Sequence, residues 1–166
     1  MNIFVLDEDP ATASTQHCDS HVVKMILETT QILCTVRSLL GCPIPNGYKP
    51  THINHPCTKW AMESQCNYVW TWHLLYGLHC EYDRRYAKIH KSKQLLSDLL
   101  GFPFGVFPKI PRTPFIFCGP ESCARESVVE SYRELYRLKA KTMKRPMHWT
   151  KTPVPLWMGD LVTKES

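Results

Sequence analysis

At 166 residues, 43% of them hydrophobic and 21% charged, the chain has room and apolar side chain for one compact domain with a real core. No apolar run nears the roughly 18 residues of a membrane span, and no basic-then-apolar leader opens the chain, which argues against membrane-spanning, secreted and disordered classes and for a soluble cytoplasmic protein. The net charge of +5 is unevenly placed: residues 1–83 hold four Lys/Arg against eight Asp/Glu, and residues 84–166 hold sixteen against seven, a polarity that fits an anionic partner on one face or a solubilising surface.

The opening six residues, Met1 to Leu6, are short and apolar and read as a strand or an extended entry segment. Asp9 before Pro10 is a helix start, an acidic cap followed by proline at the first helical position. Residues 11–40 can be helical throughout, with Gly41 as the C-terminal cap and Cys18-Asp19-Ser20 the place where the run can break in two. Residues 42–50 are a turn-rich loop. A second helix begins at Asn54-His55-Pro56, with Asn54 a capping candidate, and runs toward residue 86 with Gly77 as a candidate kink. A third covers 92–100 and ends at Gly101.

Five prolines between 102 and 120 exclude helix and predict an extended crossover. The fourth helix is expected over 121–144, strongly basic, and the tail from Trp149 to Met158 is expected to fold back on the body. The fold class is mainly α: a single helical domain over 1–166 with a short N-terminal extended segment and a Pro-rich crossover.

Four constellations could carry chemistry. His17, His21, Lys24 and Glu28 recur at i, i+4, i+7 and i+11, which puts them on one face of a continuous helix, hemmed by Val22, Val23, Met25, Ile26 and Leu27. Imidazoles, an amine and a carboxylate on one stripe suit general acid–base work, although a solvated face with ordinary pairing produces the same pattern. His52, Asn54 and His55 precede a helix N-terminus, where a phosphate can bind. Arg84, Arg85, Lys88 and His90, interleaved with Tyr82 and Tyr86, suit phosphate contact with stacking. Arg133 and Arg137 lead a basic run that continues through Lys139, Lys141, Lys144 and Arg145. The eight cysteines include no CxxC pair, and thiols such as Cys34 and Cys80 lie in apolar helical patterns. They read as reduced, buried small hydrophobes. No carboxylate or cysteine completes a recognisable ligand spacing with the histidines, so no metal and no cofactor are expected, and activity should survive a chelator.

Asp19-Ser20-His21-Val22-Val23, with Glu28 seven positions past the histidine, resembles a stretch of the phage pyrimidine-dimer DNA glycosylases of the endonuclease V type. Tyr48-Lys49, Asn54-His55-Pro56 and the helix ending in Tyr82 to Tyr86 resemble the layout of bacterial relatives of those enzymes. The opening of the chain is also similar to a group of phage and viral proteins, which would place it in the host cytoplasm. The resemblance covers residues 1–92. It implies that Glu28 is catalytic, that the helix grips damaged DNA, and that an amine forms an imine with the sugar. The family uses the α-amine of an N-terminal threonine. Here residue 2 is Asn, so the Met1 amine substitutes, Lys24 does, or the lyase step is absent.

The expected function is a nucleic-acid-directed N-glycosylase, with or without strand-nicking lyase activity, acting on a flipped or splayed nucleotide. Glu28, His21, Lys24 and His17 would carry the reaction. His52, His55, Asn54, Arg84, Arg85, Lys88, His90, Arg133 and Arg137 would hold the substrate. The alternatives are a histidine-based nucleotide or phosphodiester hydrolase, and a non-enzymatic nucleotide-binding counter-defence protein.

Overall fold

Asp9 caps the first helix as its sequence predicts. Its carboxylate accepts the Thr12 N–H at 2.8 Å, and Pro10 takes the first helical position, where its missing N–H costs nothing. The computed structural model describes residues 1–102 and 105–162. Helix α1 spans Pro10–Gln16 and α2 spans Asp19–Leu39, separated by an extended His17-Cys18 step. The long first helix therefore divides at the break that Cys18-Asp19-Ser20 allowed. Gly41 follows α2 in the left-handed region, φ +74°, and its N–H donates to the Ser38 carbonyl.

The second predicted helix also divides. Helix α3 spans Pro56–Glu63 and α4 spans Gln65–Tyr86. Ser64 between them is extended, and its hydroxyl accepts the Asn67 N–H at 3.1 Å, so it restarts the helix as a cap. The cap of α3 is His55 rather than Asn54, because the His55 ring accepts the Cys57 N–H. Gly77 does not kink α4. A Cβ there would lie 2.3 Å from the Ser14 hydroxyl, so the glycine lets α1 lie close against α4.

Helix α5, Leu96–Leu100, follows a 3-10 turn over Lys91–Leu95 and stops at Gly101. The crossover holds no α-helix among its described residues, and Pro103 lies outside them. Helix α6 spans Val128–Thr142, later than the predicted start at 121, because Ser127 supplies its cap to the Glu130 N–H. Residues 121–123 form only a 3-10 turn.

Six α-helices and no strand are present among the described residues, so the fold is mainly α. Helix α2 packs on α4 and α3. The extended Ile3–Leu6 segment is buried, with Phe4 edge-on to Tyr132 and Tyr136 of α6. The tail folds back as predicted: the Trp149 and Trp157 indoles donate to the Gln16 carbonyl and side chain at 2.9 and 3.0 Å. No helix among the described residues is long and apolar enough to cross a membrane.

Candidate functional site

Burying Ile3–Leu6 against α6 brings the start of the chain beside α2, and there the local chemistry concentrates. The Asn2 N–H donates to the Glu28 carboxylate at 3.0 Å, and the Met1 amine lies 3.8 Å from the same oxygen. Lys24, one turn earlier on α2, places Nζ 3.5 Å from the other carboxylate oxygen. Glu28 is largely covered, with 14% of its side chain exposed, whereas Lys24 is open at 62%. His55 sits at the rim, half-buried. Burial first, then the chain-start ammonium and His52, hold its pKa below the ordinary histidine value, while Glu28 acts the other way. The His52 ring is exposed and shares a 2.8 Å hydrogen bond with the Thr51 hydroxyl; Asn54 is exposed in the same turn.

The predicted stripe is therefore split. Lys24 and Glu28 stay together on α2, but His17 belongs to the end of α1, and both histidines are core residues. His17 Nδ1 donates to the Ala13 carbonyl at 2.7 Å, and its Nε2 is buried without a partner. His21 Nδ1 is hydrogen-bonded to the Tyr136 hydroxyl at 2.8 Å, and its ring packs on Phe4 and Tyr136. Neither lines a site open to substrate.

Desolvation holds His17 at about 4 and His21 at about 3, with His17, Lys139 and Lys24 adding repulsion to His21. Buried His79 on α4 is held at about 4 for the same first reason. Because these pKa values are depressed below the unfolded value of about 6.5, the unfolded chain binds the extra protons first. Stability is complete above pH 6.5 and falls as pH drops from there toward 4, by about 2 kcal/mol per histidine at pH 5. Urea titrations at pH 7.5 and pH 5 should show this loss. A pH-independent midpoint would remove the buried-histidine account.

The arginines assigned to phosphate are mostly engaged within the protein. Arg85 is buried and makes four hydrogen bonds, to Glu81 at 2.9 Å, Asp19 at 2.9 Å, the His17 carbonyl at 2.8 Å and the Thr15 carbonyl at 3.0 Å, while a further guanidinium nitrogen lies 2.8 Å from the same Glu81 oxygen. Two of those partners are carbonyls left open at the end of α1, so Arg85 is a structural clasp. Arg84 pairs with Glu81 and with the Lys151 carbonyl and Thr152 hydroxyl of the tail. Arg133 bonds the Leu6 carbonyl, Asp7 and Glu130, and Arg137 bonds Glu134 and the Trp157 carbonyl. The acidic first half and basic second half thus partly neutralise one another across the fold. Lys88 is exposed, while His90 Nδ1 accepts the Ser92 N–H as a turn cap.

The cysteines also depart from expectation. Cys18, Cys34, Cys57 and Cys123 are buried, but Cys80 and Cys66 are exposed on α4. Cys57 Sγ lies 3.6 Å from Cys118 Sγ, and with His55 they place three potential ligand atoms within 4.8 Å of one another. The ligand that sequence spacing did not supply comes from the far side of the crossover.

Two open grooves flank α4. One, of about 790 Å³, is lined by Val69, Trp70, His73, Pro108, Ile110 and Arg112 among others. The other runs along Pro10, Ser14, His73 and Gly77. Neither is lined by Glu28, Lys24 or His55, so the amine–carboxylate group and the grooves are separate features.

No family model, curated protein or solved structure matches this chain. The functional reading rests on the chemistry of the site.

Proposed function

We propose that the protein is a nucleic-acid-directed N-glycosylase that works through an amine held beside Glu28. The observation that carries this reading is the carboxylate with two amines at ion-pair distance, Lys24 Nζ at 3.5 Å and the Met1 nitrogen at 3.8 Å. An ammonium is not a nucleophile. A neighbouring carboxylate can take its proton, and the freed amine can then attack the anomeric carbon of a nucleoside.

In that step the amine nitrogen bonds C1′ and the C1′–base bond breaks. The electron pair leaves with the base, which takes up a proton. The attached nitrogen then loses one of its two protons to Glu28 and the other to the ring oxygen as the C1′–O4′ bond breaks, which gives an imine. Glu28 moves the protons and stabilises positive charge on the sugar; the Asn2 N–H at 3.0 Å orients its carboxylate. The nucleotide must leave its stack to reach these groups. Phosphate contact falls to exposed cations such as Lys88, because the predicted arginines are engaged internally.

Borohydride trapping on a duplex containing an abasic site tests the reading without knowledge of the base. Such a site presents the sugar aldehyde directly, so an imine forms and reduction fixes it as a secondary amine. The expected result is a covalent protein–DNA adduct whose peptide map places the link on the Met1 nitrogen or Lys24 Nζ. No adduct, or one mapped to a distant lysine, overturns the proposal. Turnover of free nucleotides by the same protein would favour the hydrolase instead.

A further inference from the structure

We propose that His55, Cys57 and Cys118 form a binding site for a thiophilic divalent cation, with zinc as the best fit. The three ligand atoms lie within 4.8 Å of one another, and the two sulfurs are 3.6 Å apart. In a tetrahedral site with Zn–S bonds of about 2.3 Å, two sulfurs stand about 3.8 Å apart, so this pair already has nearly the spacing of a filled site. A disulfide would need about 2.05 Å, a closure of roughly 1.5 Å.

The site is built from two separate parts of the chain. His55 is the cap of α3 and Cys57 its second residue, while Cys118 arrives on the crossover 61 positions later. Asn2 and Tyr132 hold the second part in place. The Asn2 amide nitrogen donates to the Cys118 carbonyl at 2.7 Å, and the Tyr132 hydroxyl accepts the Cys118 N–H at 3.1 Å. The Asn2 side-chain oxygen lies 3.5 Å from Cys57 Sγ. Outer-shell bonds of this kind orient metal ligands and sustain affinity.

A metal takes its ligands deprotonated: the imidazole binds in its neutral form, and the two thiols give up their protons when a cation replaces them. Three protein ligands leave a fourth position for water, the pattern of open zinc sites. Binding releases the two thiol protons to solvent, so affinity rises with pH. The inference stands apart from the amine chemistry at Glu28, since its test reads metal and not turnover.

The experiment is a titration of reduced, chelator-stripped protein with cobalt(II). One equivalent should bind, giving thiolate-to-cobalt charge transfer and the visible bands of a tetrahedral centre, both bleached by zinc. Cys57→Ser and Cys118→Ser should each cut the charge-transfer band by at least half and weaken binding by more than the 10–100-fold typical of losing an outer-shell partner. Cys80→Ser, at an exposed thiol, should change nothing. If the serine variants do not fold, alkylation of the wild-type protein decides: zinc should shield Cys57 and Cys118 while Cys66 and Cys80 react with or without it. Absence of the band, an undiminished band in Cys118→Ser, or protection mapped to other thiols would overturn the site. So would a Cys57–Cys118 disulfide formed in air by a chain that, once reduced, binds no cobalt.

Discussion

Replacing Glu28 with glutamine is expected to lower the rate of adduct formation and strand nicking at an abasic site by about 100- to 10,000-fold, the usual span for a positioned general acid–base. The side chain keeps its length and an oxygen to accept the Asn2 N–H, which it now holds at 3.0 Å. What it loses is the charge and the proton-accepting lone pairs facing Lys24 and the Met1 amine. Both ion pairs are long, and Lys24 is well exposed, so the melting temperature should barely move. That separation gives the test its meaning. A variant that folds normally and still forms the adduct within a few-fold of the wild-type rate would remove Glu28 from the reaction.

The largest effect on stability is expected at Arg85. Its guanidinium is wholly buried and joins Glu81, Asp19 and the final carbonyls of α1. Arg85→Met fills much of the volume but leaves Glu81, 7% exposed, without its buried partner and paired only with the partly exposed Arg84, and leaves the Thr15 and His17 carbonyls unsatisfied. Loss of one member of a buried ion pair costs about 3–5 kcal/mol, most of it from the charge left behind. The neighbouring Arg84→Met should cost under about 1 kcal/mol, because Arg84 is 44% exposed and its pairing is screened by solvent. Urea midpoints of the two variants, measured side by side, check the contrast. Equal, small losses at both positions would show that the clasp contributes little.

Local signals in the chain predicted the elements well wherever a proline or a glycine marks the boundary. Asp9-Pro10 starts α1, Gly41 closes the turn after α2, Gly101 closes α5, and the prolines of the crossover keep its described residues out of helix. The pairing of Lys24 with Glu28 was also legible, since residues four apart on a helix share a face. The divisions at His17-Cys18 and Ser64 were harder. Serine is an unremarkable residue inside a helical pattern, and only its bond to the Asn67 N–H shows it acting as a cap.

The roles of the polar residues could not be read from spacing, because each depends on what arrives from elsewhere in the chain. His17 and His21 have the periodicity of a catalytic face, yet Phe4 and Tyr136 cover them and turn two candidate bases into neutral core rings. Arg85 and Arg133 look like a phosphate grip, but Asp19 and Asp7, 66 and 126 residues away, take up their charge. Cys57 and Cys118 show no ligand spacing and meet only because the crossover returns to α3. The sequence alone therefore determined the helical class, most helix starts and stops, and the carboxylate–amine pair, since these follow from backbone capping and the 3.6-residue repeat. Tertiary packing decided which charges are neutralised, which histidines lose their solvent and which thiols meet, since desolvation and long-range pairing depend on neighbours far along the chain.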